Sequence, residues 1–213
     1  MVTGGGSALQ TPALRVVPAN EAACDDLQVV FGTRGSAARC QCQRYKLRRG
    51  EAFAKFPVEE RRQRLREQTD CGSPGSATTS GSVTTSGLVA YLDDDPVGWC
   101  DVEPRTAYEG LIRNNRVPWT DRTEDRTDAS VWAVTCLFTR VGSRRRGISR
   151  ALAVAAVDFA RGRGARALEA YPILTTDVLA EELHVGTLGT FAAAGFAEVS
   201  RPTPRRAVVR IDF

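Results

Sequence analysis

An α/β (α+β) domain built on a mixed central sheet of about seven strands is predicted by three features of this chain. VWAVTCLFT, from Val131 to Thr139, is continuously apolar and β-branched, the pattern of a strand buried on both faces. After Gly147 the apolar positions Ile148, Leu152, Ala155 and Phe159 recur at helical spacing. ARALEAYP, residues 165–172, follows that helix so closely that strand, helix and strand make a right-handed parallel crossover. Hairpin-like segments elsewhere make the sheet mixed.

In chain order, ALRVVP (residues 13–18) reads as a first strand, and Asn20 is a good N-cap for a helix EAACDDLQVVF. An irregular stretch from Gly32 to Gly50 holds Cys40 and Cys42. Pro57 opens a mostly polar surface helix, VEERRQRLREQ, with Glu59 and Glu60 in its first turn and an apolar edge at Val58 and Leu65. Residues 72–87 are small, polar and of low complexity, so a mobile loop is expected there. LVAYL and PVGWCDV flank the aspartates Asp93 to Asp95 as a hairpin with its acidic turn in solvent. Residues 105–128 form a long polar insert, a candidate substrate lid, because long loops in compact domains usually serve function. Beyond ARALEAYP come a helix from about His184 to Ala194 and two strands, GFAEVS and AVVRIDF.

The totals narrow the function classes. A chain of 213 residues with 42% hydrophobic and 25% charged residues suits one domain, residues 13–213, after a flexible tail at 1–12. No apolar run reaches the roughly 18 residues needed to span a bilayer, so no membrane partner is expected. The first ten residues lack the basic and apolar regions of a signal peptide, which makes the cytoplasm the default location. A net charge of +4, with acidic residues scattered among the arginines, favours solvated arginines over a nucleic-acid surface. The six cysteines read as reduced thiols, and one C-x-C pair with a single histidine is too sparse for a zinc site.

The segment SRRRGIS, residues 143–149, joins the apolar strand to the following helix. Free backbone amides and the helix dipole make such a start an anion site, and arginines pair well with phosphate oxygens. No GxxxxGK[ST] or GxGxxG occurs. Arg144-x-x-Gly147-x-Ser149 resembles the [QR]-x-x-G-x-[GA] pyrophosphate motif of the GNAT superfamily of acyl-CoA-dependent N-acetyltransferases, with serine in the last place. Downstream, His184, Thr187, Phe191, Gly195 and Phe196 align with N-x-x-A-x-x-x-Y-x-x-x-G-F; Gly-Phe and the aromatic match, asparagine and tyrosine do not. VGWC, EAYP and C-x-C together are similar to an actinobacterial-type branch of that superfamily.

The resemblance implies a single GNAT-like domain with helices on both faces of the sheet and acetyl-CoA as co-substrate, with no metal. It places the diphosphate on Arg144, Arg145, Arg146, Gly147, Ile148 and Ser149. It places the pantetheine and thioester on Leu137, Phe138 and Thr139, in a wedge between the fourth and fifth strands. The family's tyrosine acid corresponds to Phe191, which has no proton to give. A mostly protonated alkylamine needs a base, and Glu103, Glu169 and His184 are the candidates. For each, a bland alternative stands: a salt-bridged strand-end carboxylate for Glu103 and Glu169, a structural residue for His184. The expected acceptor is an amine on a small molecule or peptide, and a homodimer is allowed. An acyl-CoA-binding regulatory or interaction module that has lost turnover is the alternative.

Overall fold

The computed structural model describes residues 13–73, 85–114, 116–175 and 177–213. The expected flexible tail and the middle of the low-complexity segment lie outside the described residues. Seven strands form one sheet in the order β1-β2-β3-β4-β5-β7-β6. They are β1 Leu14–Pro18, β2 Leu88–Leu92, β3 Asp95–Pro104, β4 Val131–Thr139, β5 Ala167–Ala170, β6 Ala197–Thr203 and β7 Arg206–Asp212. Only β4 and β5 run parallel; every other neighbouring pair is antiparallel. The helices are α1 Cys24–Phe31, α2 Gly35–Cys40, α3 Val58–Thr69, α4 Glu109–Asn114, α5 Ile148–Gly162 and α6 Leu188–Ala192.

Each face of the sheet buries a core. On one side α5 lays Ile148, Leu152, Ala153 and Ala156 against Ala90, Cys100, Val102 and Val134, joined by Phe191 and Phe196. Burying each large aliphatic side chain there stabilises by about 1.5–3 kcal/mol. On the other side α1 and α3 contribute Leu27, Val30, Phe31 and Leu65 against Val89, Tyr91, Trp99 and Cys136. Helices therefore cover both faces, as the predicted fold class requires, and no helix among the described residues is long and apolar enough to cross a membrane.

Several expectations are corrected. Helix α1 starts at Cys24 with Ala23 at its N-cap, and Asn20 lies in a preceding 3-10 turn, Ala19–Glu21. Asn20 is held instead by Thr85, whose hydroxyl accepts its N–H at 3.0 Å, and by Ser73, whose N–H it accepts at 3.1 Å. Those bonds also fix the two ends of the segment expected to be mobile: Thr85 and Ser86 are buried, and Gly72 N–H donates to the Ala22 carbonyl. The cysteines are not all reduced, because Cys24 and Cys71 form a disulfide that ties the start of α1 to the end of α3, with Cα atoms 5.0 Å apart. Cys40, Cys42, Cys100 and Cys136 are free.

The helix expected from His184 to Ala194 is two pieces, a 3-10 helix Ala180–Val185 and α6. Ile173 interrupts them: its N–H donates to the Gly186 carbonyl and its own carbonyl accepts from Leu188, a strand-like bridge. The Thr187 hydroxyl then caps α6.

The insert 105–128 is pinned rather than free. Arg105, fully buried, pairs with Glu124 and, at 3.4 Å, with Glu169, and its guanidinium lies 5.0 Å from the Trp119 ring centre. Arg122 also pairs with Glu169 and, at 2.7 Å, with Glu124.

Candidate functional site

The register of β4 creates the site. It pairs with β5 from Val131 to Val134 only, while its other edge follows β3 as far as Thr139. A bulge displaces that register between Asp101 and Val102, with Thr135 looped out and its hydroxyl bonded to Asp101 at 3.0 Å. Bulges bend a strand and re-aim its side chains, and beyond Val134 the two parallel strands part. A cavity of about 800 Å³ lies along the freed half of β4, lined there by Cys136, Leu137, Phe138 and Thr139.

At one end of the cavity stands the loop before α5. Gly147, the N-cap of α5, has φ +76°, and Arg145 has φ +63°. Glycine takes that left-handed conformation without strain, and among the described residues no side chain caps the helix start by a hydrogen bond. The first amides of α5 have no intrahelical acceptor, which with the helix dipole suits an anion. Arg144 and Arg145 border the cavity and Arg146 is exposed in the same loop. Thr139 and Ser149 share a hydrogen bond at 3.0 Å, fastening the loop to the end of β4. The Ile148 side chain is buried in the core, which leaves its backbone amide, the first of α5, as the part of it that faces the loop's anion position.

Cys40, Cys42, Arg44, Tyr45 and Leu47, and the 3-10 helix that carries His184, line more of the cavity wall. Gln41 and Cys42 adopt left-handed φ angles of 48° and 53°. Buried glutamines hold this bend: Gln41 donates to the Ala38 carbonyl at 3.0 Å, and Gln43 donates to Gln68 Oε1 at 2.8 Å. Lys46, also buried, donates to Ser86 at 3.1 Å and pairs with Asp101 at 3.1 Å and with Glu103. Burial alone would pull the Lys46 ammonium down, but Asp101 and Glu103 outweigh it and hold it above its ordinary value. Burial pushes the Asp101 carboxyl up, against the pull of Lys46. Tyr45, the residue before this anchor, projects to the cavity with its ring centre 6.2 Å from that of His184. Gly110 lets the insert approach, because a Cβ there would stand 2.9 Å from the Tyr45 carbonyl oxygen.

Of the three candidate bases, only His184 borders the cavity. Glu103 is the counter-ion of Lys46. Glu169 is fully buried among three guanidiniums, with Arg210 at 2.9 Å and the Tyr171 hydroxyl donating to it at 3.1 Å. Both carboxylates lie outside the cavity and build the fold. Phe191 is buried edge-on to Phe196, ring centres 5.2 Å apart, and packs against Gly186. Tyr45 and Arg206 are cavity residues that the sequence did not single out; the C-x-C stretch before Tyr45 was the only signal.

The cavity thiols are held protonated. Burial pushes the Cys42 thiol well above its ordinary value, aided by Cys136, and Trp99 Nε1 donates to its sulfur at 3.0 Å. Cys40 is pushed up to about 11, chiefly by burial. For Cys136 the bond with Cys42 lowers the value, but burial and the neighbouring thiols give a net rise. Among the described residues no group of three or more His, Cys, Asp and Glu is placed to hold a metal ion.

Parallel central strands that part over a cavity, with an anion loop at a helix start beside them, define the class of acyl-CoA-dependent acetyltransferases. Residues 46–184 match the Acetyltransferase (GNAT) family, and the chain belongs to that family. A comparison with curated proteins finds no significant match. Among solved structures, the chain is similar to an N-acetyltransferase from Staphylococcus aureus Mu50, at 10% identity and TM-score 0.53, covering 94% of this chain and 98% of that one. It is also similar to a ribosomal-protein-alanine N-acetyltransferase from Brucella melitensis, at 15% identity and TM-score 0.50, covering 94% and 99%. At those identities the likeness is one of fold.

Proposed function

We propose that the chain is an N-acetyltransferase that moves an acetyl group from acetyl-CoA to a primary amine of a small molecule or peptide. The observation that carries this reading is one cavity lined by the arginine-glycine loop, the freed edge of β4 and His184. Arg144, Arg145 and the backbone around Gly147 and Ser149 suit the diphosphate. The backbone of Leu137 to Thr139 suits the pantetheine, and fixed strand amides there would polarise the thioester carbonyl.

Transfer is direct: the neutral amine attacks the carbonyl carbon, the C–S bond breaks, and CoA leaves as thiolate. Cys42 and Cys136 favour this course over an acyl-enzyme, because thiols held protonated are poor nucleophiles. His184 takes the proton that the amine sheds, directly or through water. The departing thiol, with an ordinary pKa of about 8.5, needs little protonation help near neutrality, which makes the absence of a phenol at Phe191 tolerable.

A second reading, an acyl-CoA-binding regulatory or interaction module, rests on that same Phe191. One experiment separates them. CoA should raise the thermal midpoint of the wild type, and Gly147→Glu, which sets bulk and negative charge in the anion loop, should abolish the rise. The wild type should acetylate at least one member of an amine panel. CoA binding with no acetylation by either the wild type or Phe191→Tyr would replace the first reading with the second. An undiminished CoA response in Gly147→Glu would remove both.

A further inference from the structure

We propose that the acceptor amine carries a carboxylate of its own, held by Arg44 and Arg206; this rests on the acetyl-transfer reading above. Among the described residues the charge around the cavity is lopsided, with five bordering arginines, Arg39, Arg44, Arg144, Arg145 and Arg206, against one carboxylate, Glu182. Arg144 and Arg145 belong to the anion loop. Arg44 and Arg206 lie beside Tyr45 and both act on it: burial pushes its phenol above the ordinary range, while Arg206 and then Arg44 pull against that push.

Among the described residues neither guanidinium is neutralised by a carboxylate. Arg206 gives one N–H to the Tyr171 carbonyl at 3.1 Å, and Arg44 lies over the Phe53 ring, 4.5 Å from its centre. These contacts orient the two groups and leave donors of each planar fork for a ligand. Glu182 does not balance them, because it accepts from Leu179 N–H at 3.2 Å and pairs with Arg205 at 3.3 Å.

An amine recognised beside two cations poses a physical problem, since its protonated form is repelled there. A carboxylate on the same molecule resolves it. Guanidinium binds carboxylate through two parallel hydrogen bonds, and this offsets the repulsion on entry. The same positive field favours the neutral form of the nearby amine, the form that attacks. An amine that lacks a carboxylate would gain the second effect without the first.

The test uses the CoA-saturated full chain and a panel of the common L-amino acids, each paired with its own carboxamide. Dissociation constants come from calorimetry and kcat/KM from acetyl-CoA consumption. At least one acid should bind about tenfold or more tightly than its amide, a margin of about 1.4 kcal/mol. Arg44→Gln and Arg206→Gln should each narrow that gap and leave CoA affinity within about twofold, since every 1.4 kcal/mol is a factor of ten. Amides binding as well as acids throughout, or no acid binding, would overturn the inference, and the wild-type measurements alone suffice for this even if a variant fails to fold. So would variants that lose CoA instead, which would assign these arginines to the donor's phosphates. Equal acetylation of acids and amides sinks this inference alone, whereas tight acid binding with no acetylation of anything sinks the transfer reading, and with it the role of acceptor, and leaves only a carboxylate-binding site.

Discussion

The carboxylates on the sheet's central strands and the charged groups around the cavity belong to one fold, yet they answer to different physics. Glu169 and Glu103 are matched by cations placed against them: three arginines for the first, Lys46 for the second. A buried charge without such a match costs several kcal/mol, and neighbours within the chain relieve the cost permanently. Around the cavity the matching is left incomplete, with Arg44, Arg144, Arg145 and Arg206 facing one carboxylate among the described residues. Charges completed inside the chain build the fold, and charges left incomplete await a ligand. Placement at the end of a central strand does not by itself make a carboxylate a base.

This division between matched and unmatched charge meets its severest test at His184. His184→Gln should leave CoA binding intact and lower kcat/KM at neutral pH by about 10²- to 10⁴-fold, the usual scale of general-base help. The deficit should shrink as pH rises toward the amine pKa, because free amine then needs no base. A pH-independent loss in steady-state kinetics would make His184 structural.

Next comes Glu169→Gln, which leaves Arg105, Arg122 and Arg210 to Glu124, with Asp212 reaching Arg210 alone. A loss of about 3–5 kcal/mol of unfolding free energy is expected, read by chemical denaturation, with turnover per folded molecule unchanged. Normal stability with abolished turnover would erase the division between the two regions.

The disulfide should contribute somewhat less. Cys71→Ser, or reduction of the wild type, should lower stability by about 2–4 kcal/mol, with CoA affinity retained. Mass analysis of unreduced peptides checks the pairing of Cys24 with Cys71.

The smallest effect belongs to Glu51, which grips Arg64 with two bonds, at 2.9 and 2.6 Å, and ties the cavity wall to α3. Arg64 lowers the Glu51 carboxyl to about 2. A lowered folded-state value means that the stabilisation is present above the unfolded carboxyl's range, near 4.3, and lost as pH falls through about 2. Because the side chains are partly exposed, Glu51→Gln should cost only about 1 kcal/mol at pH 7. Denaturation curves of variant and wild type should converge toward pH 2.

The order of strands, the helix after Gly147 and the anion loop were legible in the sequence, because each depends on periodicity and on residues within about one turn of one another. VWAVTCLFT and the spacing of Ile148, Leu152, Ala155 and Phe159 state their structure locally. The break between His184 and Ala194 was not legible, since Ile173 imposes it from another segment. The pairing of Cys24 with Cys71 spans a separation of 47 residues, and no spacing rule announces it.

The site shows the same division. A glycine and arginines at a strand-to-helix join are plain in the linear chain, and with them the place where an anion can be held. That Glu103 meets Lys46, that Glu169 meets Arg105, Arg122 and Arg210, and that Tyr45, His184 and Arg206 share one wall became visible only in three dimensions. Local structure follows from forces between near neighbours along the chain. Charge compensation follows from which distant groups the sheet brings within a few ångströms, and a linear pattern holds no record of that distance.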